Sequence, residues 1–302
     1  MRGRVTVLLL LLGGFLVGGL LLTLLQRSRA SQSLVYSVNN VRELSQFALL
    51  GSTDPAANPQ SRRLNQPADP RFQATPLERF RELDIAAEIP AGTVVRPDLP
   101  TERRLSWVAP LLPTFNQKRQ DTLTLFTQLD KTQPWDAGPN RAVAETRLGV
   151  LVSYAAAPPA TPGEPAVTQF VGVGGVGTDA PTLPLNADNV ADPRAGCFRY
   201  GGPTPFAAVR DGLSNTILIG EVSTDLGPWL QGGPSTVRTF DLGPAARPAV
   251  GVGGQFGGNH LAGGLFGFAD HGVRVLTHRT DGRVLANLCT INGGPSDVLP
   301  GE

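Results

Sequence analysis

All three histidines of this 302-residue chain, His260, His271 and His278, fall in one nineteen-residue window, and Asp270 lies among them. Imidazole and carboxylate together suit zinc or a similar ion, so His260, Asp270, His271 and His278 are the candidate metal ligands. Ser214, His260 and Asp270 or Asp211 supply the residue types of a Ser-His-Asp hydrolase. Ser214 lacks the Gly-x-Ser-x-Gly setting that would expose its hydroxyl on a strand-to-helix turn, which argues against that chemistry. The run Gly172-Val173-Gly174-Gly175-Val176-Gly177 matches the dinucleotide GxGxxG pattern by letter. Thr178-Asp179-Ala180-Pro181 follows and cannot open a helix normally, so the run reads as a glycine loop with no pyrophosphate site. Cys197 and Cys289 could close one disulfide in an oxidising compartment or stand as two buried free thiols, and their spacing does not decide.

The same residues also support a scaffold reading. Asp270-His271-Gly272 sits between two strand-like runs, 265–269 and 273–277, and reads as a hairpin turn in which Gly takes the positive φ. His260, from a glycine-rich loop, would then hydrogen-bond Asp270 and fix that loop against the hairpin. Asp211-Gly212 with Ser214-Asn215-Thr216 reads as a turn whose side chains cap backbone groups before a strand.

The elements that would hold these groups are short. Strand-like runs stand at 106–112, 148–154, 167–173 and 216–221 besides the two above, and 117–129 and 283–288 could be helices. Thirty-six Gly and twenty-seven Pro, with aromatics at 6%, fit strands joined by many turns. The expected globular part, 106–302, is therefore an antiparallel α+β domain, preceded by an irregular, proline-rich connection over 51–105.

Ahead of it lies a very different segment. Residues 5–25 carry no charge and no polar side chain beyond Thr6 and Thr23. As a helix they would be about 30 Å long, the thickness of a bilayer's hydrocarbon core. A cleaved signal is the competing reading, with Arg2 and Arg4 in front and Ser28-Arg29-Ala30 as a cleavage site. Signal h-regions span only about 7–15 residues, and this run is longer. Gly14 and Gly18 form a GxxxG pair that would let two such helices approach. Leu34, Val38, Val41, Leu44 or Ser45, and Ala48 recur at intervals of three and four, which predicts an amphipathic helix over 26–50 continuing from the span. Residues 1–4 are then a short tail. First helices with short tails usually keep the N-terminus inside, which places the domain outside the cytoplasm.

Charge excludes one class of partner. Twenty-six basic and twenty-five acidic residues leave a net charge of +1 with no run of like charges, so there is no nucleic-acid footprint. Trp107, Trp135 and Trp229 would have to line an exposed groove for a lectin-like ligand module, and buried anchors are the simpler reading.

The segment Asp211-Gly212-Leu213-Ser214-Asn215-Thr216, running on to Gly220-Glu221, resembles the DGxSNTixxGE segment of a large bacterial family of unknown function. That family joins a prepilin-type N-terminus to a C-terminal signature of His, nine residues, then Asp-Gly. Here nine residues separate His260 from Asp270, and Gly272 follows after His271. Asn39-Asn40 on the helix, Ser106-Trp107, Pro134-Trp135-Asp136, Asn140-Arg141 and Gly227-Pro228-Trp229 are similar in order. The resemblance implies a pseudopilin-like plan, a long N-terminal helix packed on an antiparallel-sheet domain. It also implies a structural or interaction role at the bacterial cell envelope, without catalysis or cofactor. The expected partners are the membrane, through residues 5–25, and other copies or pseudopilin-like subunits. Some pseudopilins hold calcium in C-terminal loops, which would point here to Asp211, Asn215 or Glu221. The family's prepilin peptidase site and its early glutamate are missing, since no acid precedes Glu43, and this marks a divergent member with a fixed anchor.

Overall fold

The computed structural model describes residues 26, 28–49, 88–115, 121–154, 158–159, 161–258 and 263–293. The apolar run at 5–25 and residues 51–87 of the connection lie outside the described residues. Among the described residues, no helix is long and apolar enough to cross a membrane.

The expected amphipathic helix is present, spanning residues 28–49. Val41, Leu44, Ser45 and Ala48 are fully buried, and residues 28–32 are exposed, so only the C-terminal two thirds rests on the domain. That stripe follows the three- and four-residue spacing that puts side chains on one helix face.

The face lies against a five-stranded sheet. Its strands are β2 (Phe170–Val176), β4 (Ile217–Glu221), β5 (Val237–Phe240), β6 (Gly264–Phe268) and β7 (Val273–Leu276), in the order β5-β2-β4-β6-β7. The pairs β2·β4, β4·β6 and β6·β7 are antiparallel, as expected. The pair β2·β5 is parallel, so the sheet is mixed rather than purely antiparallel. A small second sheet pairs β1 (Glu88–Ile89) with β3 (Thr204–Pro205). The fold is α+β.

Both faces of the sheet are covered, which is why β2, β4 and β6 are buried at every position instead of alternating. On one face Val41, Leu44 and Ala48 join Trp107, Leu111, Phe198 and Trp229 over Ile219 and Leu265. On the other, Val171, Val173, Phe240, Phe256, Phe266 and Phe268 pack with Leu285 and Cys289 of the C-terminal segment. The helix there, Gly282–Leu288, is capped by Asp281, whose carboxylate accepts the N–H groups of Arg283 and Val284.

The GxGxxG run is not a loop. Residues Gly172 to Val176 lie in β2, a strand paired on both sides, and the glycines serve close packing. A Cβ on Gly172 would stand 2.5 Å from the Phe198 ring, and one on Gly175, at φ +109°, would strike the backbone of Arg194 and Gly196. Only a residue without a side chain lets the 194–196 segment cross there.

Two other expected strands resolve differently. Residues 106–112 run into the 3-10 turn Ala109–Thr114, where Pro110 and Pro113 cannot donate to a ladder, and residues 148–154 hold the 3-10 turn Gly149–Leu151, whose Val150 and Leu151 are spent on the core. Residues 88–105 belong to the domain: Ile89 and Leu105 are buried, and Thr93 bridges Ser106.

Candidate functional site

The signature-like segments meet at one end of β4. Gly212 takes φ +88°, a conformation that favours glycine, and opens the turn Leu213–Asn215. The Asn215 amide donates to the Asp211 carbonyl at 3.0 Å, and the Thr216 hydroxyl to the Gly212 carbonyl at 3.1 Å. The Asp211 carboxylate accepts the Gly293 N–H at 2.7 Å, while the backbone N–H groups of Arg210 and Asp211 donate to Ile291. Side chains therefore cap backbone groups, as expected, and they also tie the turn to the C-terminal segment.

Next to the turn, one strand over, stands the β6–β7 hairpin, whose Ala269 N–H donates to the Thr216 carbonyl at 2.9 Å. His271 occupies the left-handed region at φ +67°, and its N–H donates to Phe268. The Gly272 N–H donates to Asp270 Oδ1 at 2.9 Å and its carbonyl accepts the Phe268 N–H. The turn is the expected hairpin, but the positive φ falls on His271 and not on Gly272. In the Asp-Gly signature the residue after Asp is Gly, the type that takes this conformation without strain. Burial pushes the His271 imidazole below its ordinary pKa, and the charge of Asp270 opposes this in part. Arg274 locks hairpin to turn: its guanidinium lies 4.0 Å from the Phe268 ring centroid and donates to the Ser214 carbonyl at 2.8 Å.

At the far end of β4, Glu221 is completely buried. Its carboxylate accepts the Leu265 N–H at 3.0 Å and its carbonyl accepts the Gly257 N–H at 2.6 Å. A Cβ on Gly258 would collide with this carboxylate.

The chemistry proposed from residue types finds little support in this arrangement. His260 lies outside the described residues, so its bond to Asp270 does too. Asp270, His271 and His278 form no common cluster, and among the described residues no group of three or more His, Cys, Asp or Glu side chains could hold a metal ion. Asp211, Asn215 and Glu221, the calcium candidates, stand at opposite ends of β4 with polar atoms engaged to backbone. Ser214 is exposed and offers its carbonyl to Arg274. Cys197 and Cys289 are free, fully buried thiols rather than a disulfide, and burial pushes both pKa values up. Trp107, Trp135 and Trp229 are buried, each indole N–H donating to a carbonyl, so they line no exposed groove.

Sequence reasoning assigned no anchoring role to three residues, although Asn40 and Asn140 lie in the family-like segments. Asn140, fully buried, donates to the carbonyls of Asp130, Gln133 and Pro134 and accepts the Asp130 N–H. Asn40 donates from the helix to the carbonyls of Gly149 and Val152. Gly267 is the seat of the N-terminal helix, where a Cβ would strike Ser45 and Val41. An asparagine beside apolar periodicity was the available signal for the first two.

The family model described as a protein of unknown function (DUF1559) matches residues 84–283, about two thirds of the chain. The chain belongs to this family. The match covers the turn, the Glu221 site and the hairpin, and ends inside the C-terminal helix. No curated protein and no solved structure matches the chain.

Proposed function

We propose that this family member is a pseudopilin-like structural or interaction protein of the bacterial cell envelope. In this reading residues 5–25 anchor it in the cytoplasmic membrane and the sheet domain stands outside the cytoplasm. The supporting observation is the N-terminal helix. It packs one stripe onto the sheet at Gly267, while its exposed first turns lead straight back toward the apolar run. An isolated helix end of this kind gains nothing from packing, and continuity with a membrane helix gives it a reason to exist.

The role is non-catalytic. The signature residues spend their side chains on backbone groups, which suits a rigid head domain, and the partners are lipid and other envelope subunits rather than nucleic acid. The balanced charge supports the last point. The H-x9-Asp arrangement is read as a clamp between the loop carrying His260 and the hairpin.

Cell fractionation tests this. The full chain should remain with membranes through an alkaline wash and be cleaved by protease added to spheroplasts. A variant lacking residues 5–25 should become extractable. Full chain released by the wash, or protected from external protease, would refute the reading.

A further inference from the structure

Two exposed tyrosines meet where the helix leaves the domain. Tyr36, from the helix, is 57% exposed and Tyr154, from the loop after Gly149–Leu151, is 54% exposed, yet their ring centroids lie 5.2 Å apart. Val35 beside them is 58% exposed. The pair is held in place from below. The Tyr154 N–H donates to Ser37 Oγ at 3.1 Å, Ser37 and Ser153 hydroxyls lie 3.4 Å apart, and Asn40 holds residues 149 and 152. Two large amphipathic rings are thus ordered at a surface where water alone gives no reason for them.

The chain ahead of the helix indicates what covers them. The apolar run ends at Leu25, and Tyr36 follows eleven residues later, about 16 Å along a helix. The headgroup layer outside the hydrocarbon core is about 5–8 Å thick on each side. A tilt of about 20–40° and a ring directed back toward the helix N-terminus close the remaining gap. Arg29 of the helix falls in between, at the level of anionic headgroups, and tyrosine is the residue type that partitions to this layer.

We propose that Tyr36, Tyr154 and Val35 form a lipid-headgroup contact that seats the domain on the bilayer surface and fixes its orientation. The inference rests on the anchored reading above. Because Tyr154 belongs to the domain and Tyr36 to the helix, the contact would restrain both.

The test uses the full chain in phosphatidylcholine–phosphatidylglycerol vesicles, with and without bromine on the acyl chains near the headgroup. Tyr36→Trp and Tyr154→Trp each add an indole, and the three native tryptophans, all buried, give the baseline. Leu123→Trp, 59% exposed on the helix Thr122–Gln128, is the control for unspecific quenching. The added emission at 36 and 154 should fall about twofold in brominated vesicles, as for an interfacial indole, and that at 123 should not. Unquenched emission from protein that stays in the vesicles through an alkaline wash overturns the proposal alone, whether water or a second copy covers the rings. Protein stripped by the wash overturns the anchored reading together with it.

Discussion

At the scale of single residues, His271 makes the sharpest prediction. A non-glycine residue in the left-handed region is strained by about 1–2 kcal/mol, less for residues that tolerate it. His271→Gly should therefore hold or raise the melting temperature, and His271→Val should lower it clearly. The same residue sets a pH dependence. Its folded pKa is depressed below the ordinary 6.5, so the unfolded chain binds the extra proton first. Its contribution is full above about pH 6.5 and is lost as pH falls through the folded pKa. Denaturant titrations between pH 7 and 5 should show this loss in the native protein, and His271→Gly should remove it. The cysteines give a second check. Native protein should resist thiol reagents, and unfolded protein should expose two reactive thiols, because both are buried with raised pKa values. Slow labelling of only one thiol after unfolding would contradict the arrangement.

At the scale of elements, the contact of helix and sheet depends on the absence of a side chain at Gly267. Gly267→Ala would push Ser45 and Val41 off β6, with an expected cost of about 1–3 kcal/mol. Hydrogen exchange should show the 28–49 helix opening before the sheet in that variant. Gly175→Ala should be worse, since the obstacle is backbone and φ is +109°. These positions also show what the sequence could express. The amphipathic helix, β4, β6, β7 and the hairpin turn were legible because their periodicity and turn residues are local. The glycine run was misread because GxGxxG looks alike in a loop and in a strand crossed closely by another segment, and that crossing is tertiary. The short strand β5 was missed, since Val237 to Phe240 carries only partial burial and its partner is a parallel neighbour some sixty residues earlier. At the site, Asp211, Asn215 and Thr216 cap backbone groups as the turn reading expected, whereas Ser214 contributes only its backbone carbonyl; Glu221 was named as a signature residue and calcium candidate but not as a buried backbone acceptor, and Arg274 was not assigned. Their partners, Leu265 and Ser214, lie far along the chain, where no local pattern reports them.

At the scale of the whole molecule, the sheet domain carries the 28–49 helix on one face, and in the proposed envelope role it forms the head. The described signature residues Asp211, Asn215, Thr216 and Glu221 bind the fold's own backbone, and substitutions there should act through stability. Asp211→Ala, which frees the buried end of the C-terminal segment, should cost about 1–3 kcal/mol without changing where the protein resides. In the proposed anchored reading, location belongs to the first segment of the chain and to the helix that follows it. The most direct test of that claim is the intact mass of the protein recovered from the membrane and soluble fractions of the same cells. Retention of the N-terminal helix predicts a mass near the 31.8 kDa of the whole chain. A loss of about thirty residues, with the protein in the soluble fraction, would identify the apolar run as a cleaved signal and contradict the anchored head.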